Sequence, residues 1–154
     1  MGVFEKKGWF RITVPPGWEV EGGEDPVAIY RSDGPGALQV TAQAPPPLRP
    51  GERIDVFLML RAYLRGIGVD MDAARAERSF ERGLEWAWCE YVEKGAAEGP
   101  AYWRVWMVTD HDVLVFLTYT CPQEDRELER KAVEEIVATL ELPGRAPSSP
   151  APGA

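Results

Sequence analysis

The chain has 154 residues, 45% of them hydrophobic and 10% aromatic, with a formal charge of −8 at pH 7; that length suits one domain able to bury about 70% of its unfolded surface without covalent staples. The negative field repels phosphate backbones and no block of Lys or Arg offsets it, so nucleic acid is excluded as the expected partner. No run approaches the ~20 apolar residues of a membrane span and the first ten residues lack the apolar stretch of a secretion signal, so no membrane insertion and a cytoplasmic location are expected.

Phe10 to Val14 reads as a strand that stops at Pro15-Pro16-Gly17, because proline donates no ladder hydrogen bond. Trp18 to Glu21 restarts it, Gly22-Gly23 turns the chain, and Val27 to Arg31 pairs as a hairpin with Ala37 to Ala44 across Asp33-Gly34-Pro35-Gly36. Consecutive prolines at 45 to 47, followed by Pro50-Gly51, form a stiff connector. From Glu52 the apolar period lengthens, and Ile54, Phe57, Leu58, Tyr63, Leu64 and Ile67 mark an amphipathic helix ended by Gly66 and Gly68. Strands follow at Arg75 to Glu81, Leu84 to Lys94, Ala101 to Thr109 and Val113 to Thr120. The second helix carries Leu128, Ala132, Val133, Ile136, Val137 and Leu140 on one face. Residues 1 to 142 thus form one α+β domain, a central antiparallel sheet of about six strands with two main helices packed on it. Residues 143 to 154, nearly all Pro, Ala, Ser and Gly, read as a flexible tail.

Asp110-His111-Asp112 links two of these strands tightly. Pairing Thr109 with Val113 puts Tyr102, Arg104, Trp106 and Val108 on one face with Leu114, Phe116, Thr118 and Thr120. The register of Leu84 to Lys94 stays open, since a slip of one residue exchanges its faces. Both faces of these strands are rich in apolar residues, so both need cover. Either each helix covers one face, or the helices share a side and the other face meets a partner. In the second case Trp86, Trp88, Arg104, Trp106 and Phe116 form the candidate interaction surface, consistent with the use of tryptophan and arginine at interfaces.

The inventory for catalysis is thin. His111 with Asp110 and Asp112 reads as a turn rather than a metal or base site, since neighbours in a hairpin turn diverge. His111 and Cys121 stand about 30 Å apart at ~3.3 Å per strand residue, too far for a dyad. Cys89 and Cys121 read as free thiols, Cys89 buried and inert. Ser32, Ser79, Ser148 and Ser149 occupy no nucleophile elbow, and the Gly34-Pro35-Gly36 and Gly66-Ile67-Gly68 triplets lack the setting of a phosphate cradle. Paired acids at Glu124-Asp125 and Glu134-Glu135 suit a solvated helix face. No catalytic residue, cofactor or metal is expected; a cleft joining Cys89, Arg104 and a carboxylate of displaced pKa would point back to an enzyme.

The opening Phe10-Arg-Ile-Thr-Val-Pro-Pro-Gly-Trp18 resembles the start of domains with the PsbP-like fold. Thr118-Tyr-Thr-Cys-Pro122, with the helix closing on Val133-Glu-Glu-Ile-Val-Ala-Thr-Leu-Glu-Leu142, resembles their final strand and helix. The resemblance implies an antiparallel sheet with helices packed on it, used for binding rather than catalysis. Its members include an extrinsic photosystem II subunit, a Ran-binding nuclear import factor and bacterial chaperones for secretion effectors. Their partners differ, so no binding-site residue carries over. The expected function is a noncatalytic interaction domain, a homodimer or small chaperone-like adaptor; the alternative is a carrier holding a small apolar ligand between helix and sheet.

Overall fold

The computed structural model describes residues 2–23, 25–70 and 74–143, so the expected tail beyond Pro143 lies outside the described residues. Seven strands form one antiparallel sheet in the order β3-β4-β5-β9-β8-β7-β6, and β1 pairs with β2 in a separate ribbon. The ribbon strands are β1 (Gly2–Lys6) and β2 (Phe10–Val14); the sheet comprises β3 (Glu19–Glu21), β4 (Val27–Tyr30), β5 (Ala37–Gln43), β6 (Arg75–Glu81), β7 (Leu84–Glu93), β8 (Ala101–Thr109) and β9 (Leu114–Pro122). The expected α+β architecture is therefore present, with one more strand in the sheet than the sequence suggests and with Phe10 to Val14 outside it. β1 carries no buried residue, which is why its sequence gives no strand signal.

The helices are α1 (Val56–Gly66) and α2 (Arg130–Ala138). α1 starts four residues after Glu52 because the Asp55 carboxylate accepts hydrogen bonds from the backbone of Phe57 at 3.0 Å and Leu58 at 3.1 Å, capping it at that point. Its buried stripe is Val56, Leu60 and Leu64, while Leu58 and Ile67, expected in the core, face outward. α2 buries Val133, Ile136 and Val137 as its period requires, and Leu140 follows into the core just beyond it. No described helix is long and apolar enough to cross a membrane.

Each helix covers a different face, so the first of the two expected arrangements holds, and the shared-side arrangement that would leave a whole face to a partner is not the one adopted. α1 packs Leu60 and Leu64 with Ala87, Cys89, Val105 and Met107, whereas α2 and β2 close over Trp86, Trp106, Val108, Val115, Leu117 and Tyr119. The β8–β9 register differs from the expectation by one residue: Thr109 faces Leu114, Trp106 faces Leu117 and Met107 faces Phe116. The cause lies in the loop. Asp110 Oδ1 accepts from the backbone N–H groups of Asp112 and Val113, both at 2.8 Å, and the Thr109 hydroxyl donates to the Val113 carbonyl at 2.7 Å. Val113 is thereby held in the turn, the ladder resumes at Leu114, and every β9 side chain moves to the face opposite the one expected.

Candidate functional site

Four of the five expected surface residues share the α2 face. β7 presents Trp86 and Trp88, β8 presents Arg104 and Trp106, and Trp88 lies directly across from Trp106. Phe116 does not join them. The register places it beneath α1, where it meets the Tyr63 ring edge-on at 4.9 Å. Trp86 and Trp106 are covered by the molecule itself, at 7% and 4% exposure, and Trp88 remains half-buried.

Arg104 organises this cluster. Its guanidinium stands 5.2 Å from the Trp88 ring and 5.1 Å from the Trp106 ring, and Nη1 donates to Glu134 of α2 at 2.7 Å. A cation buried to 8% exposure needs such partners, because desolvation otherwise costs more than packing returns. Two donors stay unmatched: neither Arg104 Nε nor Trp86 Nε1 has a hydrogen-bond partner. Beside them runs an open groove of about 440 Å³ between the β6–β7 hairpin and α2, walled by Ser79, Glu81 and Val137.

A second set of polar groups ties α2 to the sheet next to this groove. Glu90 accepts from the Tyr102 hydroxyl at 2.9 Å and from Arg130, which also donates to Tyr102 at 3.1 Å. Burial works against the Glu90 carboxylate, but those hydrogen bonds and the charges of Arg130 and Arg104 outweigh it, so its pKa is lowered. Burial, and then the hydrogen bond to Glu90, pushes Tyr102 up to about 12.

Sequence reasoning missed Glu129. It is 1% exposed, accepts from Tyr119 at 2.7 Å and from Arg31 Nε at 2.8 Å, and clamps the start of α2 to the β4–β5 hairpin. A Cβ at Gly34 would lie 2.3 Å from its carboxylate, so glycine is required for this approach. In a run as charged as Glu124-Asp-Arg-Glu-Leu-Glu-Arg130, no local signal separates this acid from its solvated neighbours.

The residues considered for chemistry are dispersed. His111, at φ 76°, contacts the Glu85 carboxylate through Nε2 and lies 3.1 Å from Arg53 Nη2. Burial pushes the Cys89 thiol up to about 12 and raises that of Cys121 as well, the opposite of what a thiolate nucleophile needs. Among the described residues no group of three His, Cys, Asp or Glu side chains could hold a metal ion. A larger cleft, about 860 Å³, opens at the C-terminal end of α1 over Tyr91 and Trp103, whose rings stack at 6.3 Å and 9°.

No protein-family model matches the chain, and a search of curated proteins returns no match. Solved structures do match. A protein from Bacteroides thetaiotaomicron VPI-5482 aligns at 21% identity and a TM-score of 0.57 over 87% of this chain, which spans 45% of that protein's length. The cyanobacterial PsbP (CyanoP) of Synechocystis sp. PCC 6803 aligns at 14% identity and a TM-score of 0.64, over 90% of this chain and 89% of its own. The Saccharomyces cerevisiae Ran-binding protein Mog1p aligns at 11% identity and a TM-score of 0.53, over 92% of this chain and 94% of its own. At such identities the likeness concerns the backbone, and it agrees with the motifs at both ends of the sequence: the chain has the PsbP-like fold.

Proposed function

We propose that this chain is a noncatalytic interaction domain of the cytoplasm, an adaptor or chaperone-like protein that also self-associates as a homodimer, and that its recognition surface is the groove at Trp86, Trp88, Arg104 and Trp106. The observation that carries the reading is the buried Arg104 cation between two indoles, beside an open groove, with its own Nε and Trp86 Nε1 lacking acceptors. Orphaned buried donors are rare, and both are sealed from the groove, so a segment bringing carbonyl or carboxylate oxygens with an apolar body satisfies them only by displacing the side chains that cover them, Trp88 first. The raised thiol pKa values and the engagement of His111 by Glu85 argue against nucleophilic catalysis among the described residues. A Ran-binding protein with this fold makes protein recognition a compatible use, by analogy of fold alone.

Trp88 is the residue to change, because truncating buried Trp106 would disturb the core as well as the groove. In affinity capture from native cytoplasm, a specific partner is retained by the wild-type chain, rebinds as a purified protein, and is lost at least about tenfold with Trp88→Ala at unchanged thermal stability. Equal retention by both chains refutes the assignment of the groove. The aromatic floor of the 860 Å³ cleft favours a second reading, a carrier of a small apolar ligand. A hydrophobic probe that quenches tryptophan fluorescence, and no longer does so with Tyr91→Ala, supports it; quenching that survives the substitution removes it.

A further inference from the structure

The sheet ends in two unlike edges. β3 is three residues long and set between Pro16-Gly17 and Gly22-Gly23, so it offers little to a partner. β6 is seven residues long, contains no proline, pairs with β7 without a bulge, and has no described strand on its outer side. Such an edge is a template for another strand unless something guards it. Arg82 and Gly83, both at positive φ, make the two-residue turn that closes on the Glu81–Leu84 pair. Alternation from that hydrogen-bonded pair sends the backbone groups of Ser79, Glu77 and Arg75 inward to β7 and those of Phe80, Arg78 and Ala76 outward.

We propose that two copies of this chain join by antiparallel pairing of β6 with β6, with Arg78 on the two-fold axis, so that one sheet runs through both subunits. The inference rests on the self-association in the functional reading and gives it a surface; this edge adjoins the groove on the α2 face, sharing Ser79 and Glu81 with its wall, so the cross-links through Ala76, Arg78 and Phe80 test the edge alone. In this register Arg78 meets Arg78 of the second copy, Phe80 meets Ala76, Arg75 meets Glu81 and Glu77 meets Ser79. The three outward residues supply about six interchain backbone hydrogen bonds. Two Arg75–Glu81 pairs form at the ends of the interface, where opposite charges face each other directly. The single like-charged pair lies at the centre, and there the Arg78 guanidinium is already drawn 4.8 Å from the Phe57 ring of its own α1. Phe80, 68% exposed in the single chain, gains a neighbour at last.

Charge also selects against other registers. Moving the pairing by two residues in one direction sets Glu77 against Glu77, and in the other it sets Glu77 against Glu81. Mixed charges on an edge usually repel strangers. Here the order from Arg75 to Glu81 reads plus, neutral, minus, plus, neutral, neutral, minus, with no net charge in a chain of −8, so the guard that blocks other strands admits a reversed copy of itself.

The test combines mass with cross-linking. The wild-type chain sediments at twice its 17.2 kDa. Residues facing each other in a hydrogen-bonded pair have Cα atoms about 5.5 Å apart, within disulfide reach. Under mild oxidation Arg78→Cys forms a linked dimer, Ala76→Cys and Phe80→Cys each fail alone, and a mixture of those two links. Native Cys89 and Cys121 are buried and do not compete. Glu81→Arg raises the dissociation constant about tenfold, and adding Arg75→Glu restores it. A dimer that Arg78→Cys does not link overturns the β6 pairing and leaves self-association standing. A monomer at high concentration, including one whose β6 edge takes up an extended peptide, overturns both.

Discussion

Tyr119→Phe removes one oxygen atom and tests how the buried Glu129 is held. The Tyr119 ring is 2% exposed and stays in place, so the change opens no cavity beyond the hydroxyl. What it removes is the 2.7 Å hydrogen bond to Glu129 Oε1, together with a weaker one shared with the Cys121 thiol, leaving the carboxylate only Arg31 Nε at 2.8 Å on its other oxygen. Hydrogen bonds to charged groups contribute about 1.5–3 kcal/mol, and with Glu129 at 1% exposure water cannot replace the donor, so the upper part of that range is expected. For a domain of this size that lowers Tm by about 4–10 °C. Urea unfolding followed by tryptophan fluorescence measures it as a lower midpoint at unchanged slope. The double variant Tyr119→Phe/Glu129→Leu recovers about half of the loss or more, because it removes the buried acceptor along with its donor while half-exposed Arg31 hydrates. A Tyr119→Phe variant within about 0.5 kcal/mol of wild type, or a double variant worse than the single, would refute the claim that this contact holds the start of α2 to β9.

Glu90 has a lowered pKa in the folded chain, so the unfolded chain binds more protons near the ordinary value of 4.5 and stability rises with pH there. Its contribution is present above that value and is lost as pH falls through the lower folded pKa. Glu90→Gln is therefore less stable than wild type at pH 7, and the gap narrows below about pH 4.5 in paired urea titrations; a gap that widens contradicts the assignment. Cys89 is fully buried with its thiol pushed up to about 12, so neither it nor Cys121 titrates with a thiol reagent in the native state, and both do in denaturant; rapid native labelling of Cys89 would show the α1 face to be open. Gly36→Ala places a Cβ 2.4 Å from the Thr120 carbonyl and 2.6 Å from the Tyr119 hydroxyl. Backbone on one side prevents easy relief, and a loss of about 1–3 kcal/mol is expected, against no loss if the hairpin shifts freely.

Strands with strong local signals were legible. β8 runs over the residues its alternation and flanking turns predict, and β4 and β5 end within a residue or so of their expected limits. What escaped depended on single side chains acting across the turn or across the sheet. Asp110 gathers two backbone donors and so sets the β9 register, a choice that apolar periodicity cannot encode because both faces of β9 are apolar. That one residue decided the site: Trp86, Trp88, Arg104 and Trp106 stay together because their grouping depends only on β7 and β8, and Phe116 leaves because it depends on β9. The tie of Arg104 to Glu134 joins residues thirty positions apart, and no spacing rule reports it.

The placement of the groove follows from the size of the helices. A helix about 10–12 Å across covers about two strands spaced ~4.8 Å apart, and seven strands span about 29 Å, so one helix per face cannot cover the sheet. The strands record what lies over them. On the α1 face, β5 shows Gln39, Thr41 and Gln43, polar and at least partly open, because α1 packs on β7 and β8 instead. On the α2 face the same strand buries Leu38, Val40 and Ala42, because Phe10, Ile12 and Val14 of the ribbon extend the cover that α2 begins. Towards β6 no ribbon continues that cover, and α2 ends at Val137 and Ala138 beside the groove. The outermost strand at that border, β6, is polar there, as β5 is on its bare face, with Arg75, Glu77, Ser79 and Glu81 on the α2 side. One strand further in, β7 and β8 place Trp86, Trp106 and the desolvated Arg104, all covered by the molecule itself, at a cost in unmatched donors. Trp88 alone of the three indoles on this face stays partly open where it lines the groove, and that is the physical reason to look for a partner there.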